Sequence, residues 1–249
     1  MTLSEHLEEL RRRIFYALGG LIAGMAIMAF AARWLLAQIN APYFHVMHRI
    51  DPDARLVVLQ PMDAFLVYFR VVLIAGGVLA SPWILYQLWM FVAAGLYDSE
   101  RRIVRRAVPF SAGLFVVGAA FFLYVVSEPM LAFFMSFGGW LEVTASVTLD
   151  AHVRFMTRMM VIFGIGFQMP LVVLVLARVG LVTPEQFSRY RRHVIVILLI
   201  FAAVVTSPSP VDQVLLALPM WLLYELGLLM AKIAAKRHRQ AEEEFRSGE

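Results

Sequence analysis

Six predominantly apolar stretches, at 14–36, 71–91, 107–135, 155–177, 194–205 and 214–230, set the pattern of this chain, with charged residues gathered between them. A hydrocarbon core of roughly 30 Å takes about 20 apolar helical residues to cross. The first four stretches are therefore predicted to span a bilayer as α-helices. The fifth is weaker, because about a dozen residues give roughly 18 Å of helix. The sixth carries Pro219 and Glu225 within it. Alone, 194–205 would suggest a buried helix. Arginines before it, Thr206-Ser207-Pro208-Ser209-Pro210 after it and the next apolar run together predict a short membrane hairpin.

The basic residues test this reading, because cytoplasmic loops carry the excess of Lys and Arg. One face receives Arg11, Arg12 and Arg13, then Arg101, Arg102, Arg105 and Arg106, then Arg178, Arg189, Arg191 and Arg192, and finally Lys232, Lys236, Arg237, Arg239 and Arg246. The other face has Arg33, Arg49, Arg55 and Arg154. The partition predicts six transmembrane helices with both termini in the cytoplasm.

The chain opens with Glu5, Glu8 and Glu9 instead of a basic segment, so its first apolar helix is expected to be retained and not cleaved as a signal peptide. Thr2 and Glu5 fit a capping box, and Leu3, Leu7, Leu10 and Ile14 recur on one helical stripe. Residues 1–13 are thus predicted to form an amphipathic helix at the inner membrane surface. Residues 232–249 read as a charged, solvated tail, and no repeat or second domain breaks the single polytopic domain 1–249.

Composition agrees with the pattern. At 61% hydrophobic and 16% charged residues, the chain is far from a water-soluble globule. The net charge of +4 is too small to argue for nucleic acid, and the absence of cysteine removes disulfides, thiol catalysis and Cys-ligated metals. His6, His45, His48, His152, His193 and His238 are scattered, and no metalloenzyme, nucleophile-elbow or nucleotide-binding motif is present. The chain reads as a non-enzyme with no cofactor and no metal.

Two groups of polar residues remain as candidates for function. Glu8, Glu9 and Glu100 are acids on a face crowded with arginine. They either pair locally, Glu8 and Glu9 with Arg12 and Arg13 at i,i+4 and Glu100 with a helix N-terminus, or receive a cationic segment of a partner. Inside the spans, Gln87, Arg158, Gln168, Asp212 and Glu225 each need a partner, since unpaired polar groups are costly in lipid. Gly164, Gly166 and Pro170 around Gln168 predict a kinked, closely packed helix with an inward amide.

These segments resemble the TatC family, the signal-peptide receptor subunits of the twin-arginine protein translocase. His6-Leu7-Glu8-Glu9-Leu10-Arg11 is similar to the family's His-Leu-x-Glu-Leu-Arg. Pro82-Trp83-Ile84-Leu85-Tyr86-Gln87-Leu88-Trp89-Met90-Phe91, continuing to Leu96-Tyr97-Asp98-Ser99-Glu100-Arg101-Arg102, is similar to its Pro-x-x-x-Tyr-Gln-x-Trp-x-Phe…Leu-Tyr-x-x-Glu-Arg-Arg. Phe163-Gly164…Phe167-Gln168-Met169-Pro170 and Leu215-Leu216-Ala217-Leu218-Pro219…Leu223-Tyr224-Glu225 resemble its fourth and sixth spans. The resemblance implies a concave, cupped wall with short fifth and sixth helices, in the inner (cytoplasmic) membrane of a bacterium by default or of an archaeon as the alternative. It also implies a receptor for the Arg-Arg signal peptides of folded proteins, self-associating and working with single-span TatA and TatB-type subunits on the protonmotive force. Carried over, Glu9 and Glu100 would bind the signal arginines, Arg11, Phe91 and Arg101 would shape the same patch, and Gln168 and Gln87 would meet partner helices. Pro42 and Asp212 would be structural residues of the outer loops. Two positions depart from the family pattern: Gln168 stands where an acid is usual and cannot hold a proton as a carboxyl does, and Asp212 is only an approximate counterpart of the acid after the prolines. A small-solute transporter and a purely structural membrane scaffold remain as alternatives from other classes.

Overall fold

The structure, a computed structural model, describes residues 3–95, 98–140, 147–179, 183–205 and 210–247. Its regular elements there are helices: α1 Leu3–Met47, α2 Pro61–Ala94, α3 Asp98–Phe121, a π-helical turn Phe122–Val126, α4 Ser127–Trp140, α5 Leu149–Gly166, α6 Met169–Val179, α7 Pro184–Arg189, α8 Arg191–Val205 and α9 Pro210–Ser247. An isolated parallel bridge joins Val57 and Thr148. Five helical segments among the described residues are long and apolar enough to cross a membrane: Ser4–Met47, Pro61–Ala94, Ala107–Ser136, Leu149–Val179 and Leu216–Ala234. The predicted fifth stretch is a helix, α8, whose 15 residues keep it outside that set. Most ends run past the apolar stretches because the 3.6-residue backbone pattern continues into polar sequence until a specific stop. α9, for example, carries the charged tail as helix to Ser247.

The chain packs as two compact units, residues 1–91 with 112–165 and residues 92–111 with 166–249. In the first, α1 is one continuous helix of 45 residues. Its buried side chains Ala32, Ile39, Tyr43 and Val46 fall on one stripe. That stripe holds the helix together through Pro42, expected in an outer loop and found inside α1. Proline removes one backbone donor there, while packing of Ile39, Tyr43 and Val46 on both sides keeps the turn helical. His152 of α5 is buried beneath this turn, its Nε2 3.1 Å from the Ile39 carbonyl and its ring against Tyr43. Phe122 packs on Phe163 and Phe155, filling the space between the π-helical turn and α5. Pro61 opens α2, with the Asp63 carboxylate accepting from the Gln60 amide.

Close approach fixes α1 against α2. A Cβ on Gly24 would lie 2.5 Å from the Gly76 carbonyl, and one on Gly76 would lie 2.7 Å from the Met25 amide. Much of the remaining α1 apolar surface is open, with Phe30 95% exposed. In lipid such exposure carries no hydrophobic cost, because the surroundings are as apolar as the side chain.

In the second unit α6 and α9 lie together, and Pro170 meets Gly227 so closely that a Cβ there would be 2.6 Å from the proline Cα. Val173, Tyr224 and Ala231 form a buried cluster, with Ala177, Phe187 and Val194 packed around it. α7 was not predicted. Thr183 caps it by accepting from the Gln186 amide while the Gln186 side chain accepts from the Thr183 amide, and Pro184 sits in its first turn. The Tyr224 hydroxyl donates to the Phe187 carbonyl at 2.7 Å and ties α7 to α9.

Candidate functional site

Helical spacing puts Glu9, Arg12 and Arg13 on one face of α1, at i, i+3 and i+4. Arg13 approaches Glu9 Oε1 through both Nε and Nη2 at 2.7 Å, and Arg12 holds Oε2. The two arginines differ in setting: the Arg12 side chain is 59% exposed and the Arg13 side chain 17%, against 13% for Glu9. Arg13 also donates through Nη1 to Gln87 Oε1 at 2.9 Å, and Gln87 is buried. The α2 amide therefore fixes the α1 guanidinium, which in turn fixes the carboxylate.

One turn toward the N-terminus of α1 and one turn toward the C-terminus of α2, the rings of His6 and Phe91 stack with centroids 4.5 Å apart. On the other side of the Arg13–Gln87 bond, Trp83 Nε1 donates to the Tyr16 carbonyl at 2.8 Å. Trp83 also fills the space that a Cβ on Gly20 would need. The contacts advance along α1 as they retreat along α2, so the two helices run antiparallel and the patch is built on rigid backbone.

Of the residues singled out from the sequence, Glu9, Gln87 and Phe91 come together in this patch. Arg11 points elsewhere, its guanidinium 5.8 Å from the Phe15 ring. Glu100 and Arg101 occupy the first turn of α3, and Asp212 the first turn of α9; their side chains lie outside the described residues. The local pairing of Glu9 with Arg13 at i,i+4 is present, and Arg12 shares the same acid while Glu8 is exposed. His6 and the Arg13–Gln87 link were missed. Spacing on one helix cannot reveal a partner 74 residues away.

In the second unit Gln168 lies in the break between α5 and α6. Its amide closes a ring with Ser111 of α3: the Ser111 hydroxyl donates to Oε1 at 2.6 Å, and Nε2 donates to the Ser111 carbonyl at 3.0 Å. An amide suits this partner because it donates and accepts at once. A carboxylate would face the carbonyl oxygen without a proton to offer. The glycines around it do serve close packing: a Cβ on Gly164 would sit 2.9 Å from the Phe115 ring, and one on Gly166 would collide with Met220. Glu225 pairs with Arg191 at 2.9 Å. Among the described residues no group of His, Cys, Asp and Glu is arranged to hold a metal.

Residues 5–219 match the family model of the Sec-independent protein translocase protein TatC. The chain belongs to the TatC family. It is 32% identical over 241 residues to the Sec-independent protein translocase protein TatC of Aquifex aeolicus strain VF5, covering 96% of this chain and 98% of that relative. It is 31% identical to TatCy of Bacillus subtilis strain 168, covering 100% of this chain and 97% of the relative. A crystal structure of the twin-arginine translocase receptor TatC superposes with a TM-score of 0.79 at 33% identity, covering 92% of this chain and 99% of that one. A second, in the detergent DDM, gives a TM-score of 0.80 at 32% identity over 91% and 99%. This TatC-family chain is accordingly a multi-pass membrane component of a Sec-independent protein translocase.

Proposed function

We propose that this protein is the receptor subunit of a twin-arginine translocase and that Glu9 and Glu100 bind the two arginines of the signal peptide. The observation that carries this reading is the state of Glu9. Its carboxylate is held for guanidinium on both oxygens, one by a half-buried arginine anchored to α2 and the other by an exposed arginine. An arriving signal arginine takes Oε2 by displacing Arg12, while Arg13 and Gln87 keep the acceptor in place. Exchange of one guanidinium for another avoids leaving the acid unpaired at any stage, which would cost the desolvation of a charged group. Guanidinium is favoured over ammonium because only the planar fork can match a carboxylate bidentately. The stacked His6 and Phe91 rings beside it offer a flat surface to the signal segment.

In this reading the helices form a cupped wall with six spans, short fifth and sixth helices and both termini in the cytoplasm, in the inner (cytoplasmic) membrane. The protein acts without chemistry of its own, with TatA and TatB-type subunits and further copies of itself, and export is driven by the protonmotive force. The Gln168–Ser111 ring makes residue 168 a structural amide and not a proton carrier. Binding of a labelled Arg-Arg signal peptide to full-length protein in nanodiscs tests the assignment. Glu9→Gln and Glu100→Gln each weaken it at least tenfold with unchanged membrane insertion; wild-type affinity in either variant removes that residue from the site.

A further inference from the structure

The second unit presents an apolar groove between α8 and α9, about 280 Å³ in volume, whose lining includes Ile195, Leu198, Val214, Leu218 and Trp221. Beyond one end of this lining, Arg191 of α8 pairs with Glu225 of α9. Ile195 lies one turn beyond Arg191 on α8 and Trp221 one turn before Glu225 on α9, so apolar lining and charged rim are about 5–6 Å apart on both helices. Further cations stand on the same helices and on α6 and α7. Arg178, Arg189, Arg192, Lys232 and Lys236 are all exposed, and the Lys232 ammonium lies 3.5 Å from the Ser188 hydroxyl of α7, which brings it beside the α7–α8 turn. The buried cluster of Val173, Tyr224 and Ala231, with Phe187 and Val194 around it, packs α6, α7, α8 and α9 together.

Three features ask for an anion here. The first turn of α8 carries Arg191, Arg192 and His193 and no acid, at the positive end of a helix dipole that favours the opposite charge. Arg191 Nε is a buried donor with no hydrogen-bond partner among the described residues. Tyr190, 54% exposed and edge-on to His193, is the kind of amphipathic ring that settles at a lipid headgroup. A dry groove next to a basic rim is the shape of a phospholipid: chain below, phosphate above.

We propose that this unit binds an anionic phospholipid, with one acyl chain in the α8–α9 groove and the phosphate held at its rim by the exposed cations, Arg192 and Lys232 foremost. Basic residues at a membrane surface each favour anionic lipid by roughly fivefold. The site is independent of Glu9 and Glu100.

Native mass spectrometry of the full-length protein with mixed phosphatidylglycerol and phosphatidylcholine reads the preference directly. Wild type retains phosphatidylglycerol over phosphatidylcholine, and the Arg192→Gln/Lys232→Gln double variant loses about 25-fold of that preference; neither residue forms the Arg191–Glu225 pair, and an unchanged melting profile controls for folding. In liposomes, the part of the fluorescence lost in Trp221→Phe is quenched at a lower mole fraction of brominated phosphatidylglycerol than of brominated phosphatidylcholine. Equal retention of the two lipids, a preference that survives the double variant, or equal quenching by both overturns the proposal. A Trp221 signal that brominated lipid cannot reach also overturns it and gives the groove to a protein helix.

Discussion

Removal of Arg12 is predicted to strengthen signal-peptide binding. In the proposed exchange Arg12 and an incoming arginine compete for the same oxygen of Glu9, whereas Arg13 holds the other and is anchored by Gln87. An exposed ion pair of the Arg12 kind is worth about 0.2–1 kcal/mol. Releasing Glu9 Oε2 from it therefore tightens binding by roughly 1.4- to 5-fold, and loss of a positive charge beside a cationic ligand acts in the same direction. Arg13→Gln has the opposite sign. It removes the half-buried guanidinium that fixes the carboxylate and takes a donor from Gln87, so binding weakens. The assay is fluorescence anisotropy of a labelled Arg-Arg signal peptide on nanodisc-reconstituted protein at two salt concentrations, with the Arg12→Gln gain shrinking at high salt. A loss of affinity in Arg12→Gln, or a gain in Arg13→Gln, refutes the exchange.

Three further outcomes follow from the packing. Gly24→Leu places a side chain against the Gly76 carbonyl at the α1–α2 crossing; overpacking of this kind costs at least about 1–3 kcal/mol, read as a lower melting temperature and poorer monodispersity in detergent. A double-mutant cycle of Ser111→Ala with Gln168→Leu gives a coupling of about 0.6–1.7 kcal/mol in denaturant unfolding, and additive effects would mean that the ring does not form. Tyr224→Phe removes the bond to the Phe187 carbonyl and lowers stability by about 0.5–1.5 kcal/mol, with faster amide exchange confined to α7.

Much of the helical layout was readable from hydropathy, because lipid forces every spanning backbone to satisfy its own hydrogen bonds. The limits of that reading fall where local pattern and packing compete. Pro42 signals a loop, but the stripe of Ile39, Tyr43 and Val46 is buried and keeps α1 helical. α7 was written in Thr183-Pro184-Glu185-Gln186 as a capping box, yet with only 6 residues it has no periodicity to detect. Glu9 was legible as an acid among arginines, and its i+4 partner followed from helix geometry. The Gln87 anchor and the Ser111 partner of Gln168 were not, since each joins residues far apart in the chain and only the folded packing brings them together.

The central claim is that Glu9 and Glu100 recognise guanidinium. A photoreactive residue placed beside the arginine pair of a signal peptide, irradiated in membranes containing this protein, tests it most directly when Arg-Arg is compared with Lys-Lys. The account predicts a crosslink that requires arginine and is lost in the Glu9→Gln/Glu100→Gln double variant. Equal crosslinking by both peptides, or a crosslink that persists without the two acids, would contradict it.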